Sequence, residues 1–238
     1  MNYEIDHQKL AEQILTIVRN VTVPAGLYIF LVFVVTFSCY FLGFLFLFGS
    51  VESILKLTDP QQIEVFIENN TTSILLLNTL VTTLMHFLLS GVYGIIKKSN
   101  FSQNIGVGDA FSLIFSKQGL KVLNVVILVQ IASGLISYAL NIAGFALVGF
   151  AIGVLIQFLT YFIIPAIYTD HSGIIKSLKQ SVGIVNEKPG LMFAFVFMTY
   201  LLSLIGILFF GIGIIFTLPL NYIVSYSLYT HIAQQIKH

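Results

Sequence analysis

The chain alternates between long uncharged apolar stretches and short segments that carry almost all of its charged residues. Four stretches contain no Asp, Glu, Lys or Arg, and they cover residues 20–51, 69–96, 122–169 and 189–236. A helix needs about 20 apolar residues to cross a bilayer, because it rises about 1.5 Å per residue through a hydrocarbon core about 30 Å thick. Each of the first two stretches therefore holds one span, and each of the last two holds two spans and a turn.

Turn signals near the middle of the two longest stretches divide each of them into a hairpin. These signals are Asn141-Ile142-Ala143-Gly144 and Gly211-Ile212-Gly213. The pattern predicts an all-α fold, a polytopic membrane helical bundle of six transmembrane helices in three hairpins, as a single integral membrane domain over residues 1–238. The predicted spans are 24–48, 72–96, 122–141, 144–168, 190–211 and 214–235.

Composition supports the membrane interpretation. Hydrophobic residues make up 57% of the chain and charged residues 9%, against roughly a quarter charged in ordinary soluble domains. The first apolar run is longer than the roughly 7–15 residues of a signal-peptide core, so we expect a retained first span. Cys39, the single cysteine, lies inside that span, so no disulfide forms within the chain.

The distribution of Lys and Arg predicts the orientation. With six spans, one side of the membrane receives both termini and the two loops 97–121 and 170–188. That side carries every Lys and Arg except Lys56, and basic residues favour the cytoplasmic side. We therefore predict a multi-pass protein of the bacterial cytoplasmic (inner) membrane with cytoplasmic N- and C-termini.

Each cytoplasmic segment has apolar residues at helical spacing and predicts a short amphipathic helix lying on the membrane surface, where lysines meet anionic lipid headgroups. Asp6 and Asp109 are expected to cap the first two helices. A soluble amphipathic loop is the alternative. The apolar positions are Leu10, Ala11, Ile14, Val18 and Val21, then Phe111, Ile114 and Phe115, then Ile174, Ile175, Leu178 and Val182. The expected headgroup contacts are Lys117, Lys121, Lys176 and Lys179.

Each amphipathic helix precedes two spans, which predicts three parallel repeat units over residues 3–96, 106–168 and 172–235. Pro165 and Pro219 interrupt the returning helix of the second and third units, where each is expected to kink the helix. The first unit differs, because an external connection from about residue 49 to 71 joins its spans. Asp59-Pro60 breaks this connection, and a short helix at the outer interface is expected after it.

Polar residues inside the spans form the candidate intramembrane site. Asn78, Thr82 and His86 recur every four residues on the second span. Two interpretations stay open: a polar cavity for a substrate, or hydrogen bonds between helices, which contribute about 0.6 kcal/mol per contact. The Gly149–Gly153 pair on the fourth span is expected to pack within the monomer. The remaining members of the candidate set lie in the third, fourth and sixth spans and are Gln130, Gln157 and Asn221.

Four segments of the last third carry a resemblance to a known group, and they are residues 164–168 (IPAIY), 173–181 (GIIKSLKQS), 211–213 (GIG) and 219–222 (PLNY). They resemble bacterial six-helix membrane proteins that include YciC-like proteins and the membrane domain attached to some glycerophosphodiester phosphodiesterases. The resemblance implies six helices in repeated hairpins and supplies no catalytic residues. No phosphodiesterase domain is present.

Related proteins have also carried a beta-carotene monooxygenase label, and membrane carotenoid-cleaving enzymes resemble non-haem iron proteins with about four converging histidines. Of the five histidines here, His86 alone is expected at mid-membrane depth, which is too few for such a metal cage. Walker loops, dinucleotide fingerprints, zinc spacings and nucleophile elbows do not occur in the sequence. We expect no metal and no cofactor.

The leading functional expectation is a non-enzymatic membrane protein that organises lipid or binds a membrane partner, with no role in nucleic-acid binding. The alternative is a passive or facilitated transporter of a small or lipid-like molecule, based on the polar stripe around His86. A membrane-embedded enzyme ranks last. The absence of a carboxylate deep in any span disfavours an ion-driven carrier.

The charge asymmetry predicts the side on which each loop lies. A reporter enzyme fused to the C-terminus, and a tag placed between Lys98 and Phe111, should both be cytoplasmic. The activity of the reporter in whole cells, and labelling of the tag by a membrane-impermeant reagent, measure this. Periplasmic labelling at either position would contradict the arrangement in hairpins.

Overall fold

The computed structural model describes residues 3–49, 60–100, 104–206 and 213–236. Every regular element within these ranges is a helix, so the predicted all-α class is confirmed for them. The helices are α1 (His7–Phe48), α2 (Pro60–Leu89), α3 (Val92–Ser99), α4 (Val107–Ile114), α5 (Lys117–Ile142), α6 (Ala146–Leu159), α7 (Ile163–Asp170), α8 (Ile174–Glu187), α9 (Pro189–Ile205), α10 (Ile214–Thr217) and α11 (Pro219–Ile236).

Several of these helices are long and apolar enough to cross a membrane. Four qualify among the described residues, namely α1, α2 with α3, α5, and α6 with α7, and a fifth qualifies if α8 and α9 count as one bent span. The axes of α8 and α9 meet at 103°. The predicted turn at Gly211-Ile212 lies outside the described residues, as do Lys56 and Asp59. Six spans therefore stay a prediction.

The first helix differs from its predicted boundaries. Asp6 caps α1 as expected, because its Oδ1 accepts from the Lys9 N–H at 3.1 Å. The helix then runs through Pro24 without a break for 42 residues, which is about 63 Å, or twice the hydrocarbon thickness. The expected separate surface helix is therefore the first part of α1. Leu10 and Val21 are buried against the rest of the protein, and this packing keeps the segment in line with the span.

The helix that contains the second predicted span also begins earlier than predicted. α2 is continuous from Pro60 to Leu89, so the expected short outer-interface helix before residue 72 is the start of the same helix. A break at Ser90 and Gly91 then separates α2 from α3. A Cβ on Gly91 would collide with the Tyr28 hydroxyl. That hydroxyl donates to the Leu88 carbonyl at 2.5 Å, so α1 supplies a partner for the backbone at the break.

Pro165 interrupts the returning helix of the second hairpin, as predicted. Because proline has no N–H, the Tyr161 carbonyl four residues earlier loses its helical partner, and α6 ends at Leu159 while α7 begins at Ile163. Ser181 of α8 bonds to the backbone on both sides of this break. Its hydroxyl donates to the Leu159 carbonyl at 2.7 Å and accepts from the Phe162 N–H at 3.1 Å. α8 is therefore hydrogen-bonded into the break between α6 and α7.

The hairpin of α5 and α6 follows the sequence closely. Its turn lies at Gly144, whose φ of +82° is the left-handed conformation that glycine adopts without strain. A Cβ on Gly149 would lie 3.1 Å from the Cα of Ser137, and the Ser137 hydroxyl donates to the Gly149 carbonyl at 3.2 Å. Gly149 thus serves packing within the chain, as expected.

Packing is concentrated at one end of the bundle. Two buried clusters occupy that end. One joins α1, α3, α4, α5, α7 and α11 around Tyr28 and Ile95, and the other joins the N-terminal segment with α7, α8, α9 and α11 around Phe162. At the other end the α5–α6 hairpin exposes large apolar side chains, with Ile142 at 70% and Leu147 at 84% exposure.

The start of α4 corrects one predicted cap. Gly106, not Asp109, is the N-cap residue. Asp109 lies in the first turn, and its Oδ2 accepts from the Gly106 N–H at 2.9 Å, which is the reciprocal half of a capping box. The sequence alone does not distinguish an aspartate at the N-cap position from one in the first turn of the helix.

Gly119 in the first turn of α5 sets how closely α4 and α5 approach each other. A Cβ at this position would collide with the Ile114 backbone, the carbonyl oxygen first. We expect Gly119→Ala to lower the free energy of unfolding in mixed micelles by about 3 kcal/mol, because backbone must move to admit one methyl group. The matched control is Gly134→Ala on the same helix, where nothing lies within 4 Å. The control should be neutral or gain up to about 1 kcal/mol. Equal effects of the two changes would contradict the close approach.

Candidate functional site

The polar stripe on the second span lies along one line of α2 and is hydrogen-bonded to its own helix. The Thr82 hydroxyl donates to the Asn78 carbonyl at 2.5 Å. His86 Nδ1 lies 2.8 Å from the Thr82 carbonyl oxygen. Thr82 and His86 thus each contact the carbonyl one turn earlier, a common arrangement for polar residues inside a helix.

Gln130 of α5 links this stripe to a second helix. Its terminal amide lies 2.9 Å from His86 Nδ1. A carbonyl oxygen only accepts, so the contact with Thr82 requires a proton on Nδ1. The contact with Gln130 joins its Nε2 to the same ring nitrogen, so it requires the other tautomer, in which Nδ1 accepts from the amide N–H. The contact is a hydrogen bond between two helices.

The six predicted polar residues do not form one site. His86 and Asn78 are exposed at the surface of the bundle, and Gln130 is half-buried. Gln157 is exposed on α6 and makes no side-chain hydrogen bond within the described part of the chain. Asn221 of α11 accepts from the Tyr161 hydroxyl at 2.9 Å. The structure therefore brings together the α2 stripe with Gln130 and leaves the other two elsewhere.

Sequence reasoning missed a tyrosine that ties several segments together beside the breaks. The Tyr168 hydroxyl lies 3.0 Å from the Ser90 hydroxyl at the α2–α3 break. The Tyr168 carbonyl accepts from Lys97 Nζ at 3.1 Å. The available signal was the 164–168 segment, in which this tyrosine follows the helix-breaking Pro165.

The packed end of the bundle carries ionic and polar contacts between segments predicted to be cytoplasmic. Lys98 Nζ lies 2.6 Å from Asp109 Oδ1. Burial alone would raise the pKa of Asp109, but hydrogen bonds from Lys98 and from the Gly106 N–H outweigh it and lower that pKa. The carboxylate therefore stays ionised and holds α3 against α4.

α8 has three distinct faces. Ser177 and Ser181 are fully buried against the protein. Ile175 and Leu178 project outward, with 72% and 40% exposure. Two lysines of the predicted headgroup set, Lys176 and Lys179, lie exposed on the third face. Of the predicted apolar stripe, Ile174 instead packs on the core.

The two other lysines of the set begin α5. Lys117 is exposed, and Lys121 is half-buried. Lys121 Nζ lies 3.4 Å from the carbonyl oxygens of both His171 and Ser172. The Gln118 amide lies 2.8 Å from Nδ1 of the same His171, so α5 is tied to the α7–α8 connection.

The N-terminal segment is fastened to the last helix. The Gln235 side chain accepts from the Glu4 N–H at 2.8 Å and donates to the Glu4 carbonyl at 2.6 Å. The Tyr3 hydroxyl donates to the Ile184 carbonyl at 2.8 Å. Burial, and secondarily the charge of Glu187, raises the pKa of Tyr3 to about 12. An open depression of about 700 Å³ lies here, lined by Tyr3, Glu4, Ile5, Asp6 and Gln235.

Comparison with known proteins adds no relative. No family model matches the chain, and neither a curated protein nor a solved structure does. The resemblance to YciC-like proteins and to the phosphodiesterase membrane domain therefore stays a prediction. Within the described ranges, no three His, Cys, Asp or Glu side chains converge in a geometry that could hold a metal ion.

The contact between His86 and Gln130 predicts a measurable coupling. In a double-mutant cycle of His86→Ala and Gln130→Leu, we expect a coupling free energy of about 0.6 kcal/mol, with about 1.7 as the upper limit for such bonds in membranes. Unfolding in mixed micelles measures it. A cycle of His86→Ala with Gln157→Leu should give no coupling, since Gln157 does not contact His86. Equal coupling in both cycles would contradict a specific bond.

Proposed function

We propose that this chain is a non-enzymatic protein of the bacterial inner membrane that gathers anionic lipid at the cytoplasmic surface and so organises the lipid or a membrane partner there. The observation that carries the proposal is the arrangement of α8. Its outward face combines exposed Ile175 and Leu178 with the neighbouring exposed Lys176 and Lys179. Apolar side chains beside lysines favour the boundary between headgroups and acyl chains.

The angle between α8 and α9 supports this placement. Because the two axes meet at 103°, α8 lies close to parallel to the membrane when α9 crosses it. α4 repeats the arrangement on a smaller scale: Ala110 and Ile114 are buried, while Phe111 and Phe115 are exposed at 38% and 78%. Two helices thus present apolar side chains at the packed end of the bundle.

The fastening of the two ends supports an even number of spans. Glu4 and Gln235 are hydrogen-bonded to each other, so the N-terminal segment and the end of α11 lie on the same side. The basic segments between the helices meet at that end as well, through Lys98 with Asp109 and Lys121 with the α7–α8 connection. This agrees with the proposed cytoplasmic face and six spans.

A passive or facilitated transporter is less well supported. That alternative depends on a water-accessible cavity at His86, and the described depression lies instead at the N-terminal segment. The bond from His86 to Gln130 explains both side chains as contacts between helices.

Lipid selectivity tests the proposal. After reconstitution, spin-labelled phosphatidylglycerol should be immobilised around the protein more than spin-labelled phosphatidylcholine, as measured by electron paramagnetic resonance. Lys176→Gln with Lys179→Gln should lower this preference at least about twofold, because each lysine near the surface contributes about 1 kcal/mol of attraction. The charge-conserving pair Lys176→Arg and Lys179→Arg should retain it.

Lys9→Gln is the control for position. Lys9 lies on α1, not on α8, and it is exposed and already paired with Asp6, so its loss should leave the preference unchanged. A wild-type protein without preference for the anionic lipid, or a glutamine pair that keeps it, would overturn the proposal.

A further inference from the structure

The first turns of α5 carry two positive charges whose counter-charge the described residues do not supply. Lys117 and Lys121 are four residues apart and therefore share one face of the helix. No acidic side chain of the described ranges lies within 4.0 Å of either ammonium group. Asp170, the carboxylate adjacent to His171 in the chain, accepts from the Tyr229 hydroxyl at 2.7 Å on α11.

Lys121 is held in place. Its ammonium group lies 3.4 Å from two carbonyl oxygens, those of His171 and Ser172. Gln118 fixes His171 from the neighbouring position on α5 through its contact with Nδ1 at 2.8 Å. A cation whose position is set by the backbone loses little conformational freedom when an anion binds to it.

The lysine face continues down the helix as an exposed apolar face. Residues spaced three, four and seven apart from the lysines project to the same side of α5. Asn124 is exposed there and comes first after Lys121. The apolar residues of this face, with exposures from 48% to 63%, are Leu120, Leu128, Ile131 and Leu135.

From this combination we infer a binding site for an anionic phospholipid on the outer face of α5. The lipid phosphate lies between the ammonium groups of Lys117 and Lys121, and one acyl chain runs along Leu128, Ile131 and Leu135. Asn124 offers its amide to the ester region between them. The two lysines supply the complementary charge, and the leucine face supplies apolar contact that a soluble phosphate would not use. The inference rests on the proposed function, because it requires α5 to cross the membrane.

The absence of tryptophan from the chain makes a direct test possible. A single Ile131→Trp substitution places the only tryptophan on the proposed acyl path. Fluorescence quenching of this tryptophan is measured in vesicles that contain a lipid brominated on its acyl chains. The apparent affinity should be at least about threefold higher for brominated phosphatidylglycerol than for brominated phosphatidylcholine. Lys117→Gln with Lys121→Gln should abolish this difference, and the Lys117→Arg with Lys121→Arg pair should retain it.

The matched control is Leu155→Trp on α6. Leu155 is 52% exposed and Ile131 is 48% exposed, and the two lie about equally far from the Gly144 turn. Because α6 carries no lysine, both lipids should quench this tryptophan equally. Equal quenching by both lipids at Ile131→Trp, the same preference at Leu155→Trp, or a preference that persists in the glutamine pair would overturn the site.

Two further arms separate the possible outcomes. Excess inorganic phosphate should leave the preference at Ile131→Trp unchanged, and its suppression would mean that a soluble phosphate occupies the site instead. The Lys176→Gln with Lys179→Gln pair should also leave it unchanged. If this pair loses the spin-label selectivity but keeps the quenching preference at Ile131→Trp, both proposals are supported. If the wild-type protein selects phosphatidylglycerol in the spin-label experiment but both lipids quench Ile131→Trp equally, the site is overturned and the proposed function still stands.

Discussion

The backbone of a membrane helix must find a hydrogen-bond partner wherever the helix is broken, and this requirement shapes the packed end of the bundle. Lipid offers no donors or acceptors to replace a lost helical bond. Hydroxyl side chains from other helices therefore supply them: Tyr28 at the α2–α3 break and Ser181 at the α6–α7 break. Each break is thereby a point of attachment, and the helices that provide the hydroxyls are fixed in position and rotation.

The division between a packed end and an exposed apolar end follows from the same requirement. Breaks, caps and charged groups need protein partners, so they are gathered where helices converge. The continuous helical turns of the α5–α6 hairpin satisfy their own backbone and need only an apolar surrounding. Their exposed side chains, such as Leu147, are consistent with lipid contact. Exposure of this kind marks the part of the molecule for which the bilayer takes the place of a core.

The helices could be predicted from the sequence, but the contacts between them could not. The apolar stretches, the Gly144 turn and the break before Pro165 depend on local chemistry, and the sequence identified them. The continuity of α1 was missed, because the packing of Leu10 and Val21 against distant segments has no local signal. Likewise His86 and Gln130 were named as polar residues, but their pairing depends on the register between two helices. Tyr168 was overlooked because its contacts are all with distant segments.

The attachment of the N-terminal segment to the end of the chain has a consequence for biogenesis. The ribosome delivers Tyr3 and Glu4 well before their partners Ile184 and Gln235. The N-terminal segment can therefore bond to Gln235 only after α11 has been synthesised. These contacts therefore form late in synthesis, and a chain truncated before Gln235 would leave the Glu4 backbone without this partner.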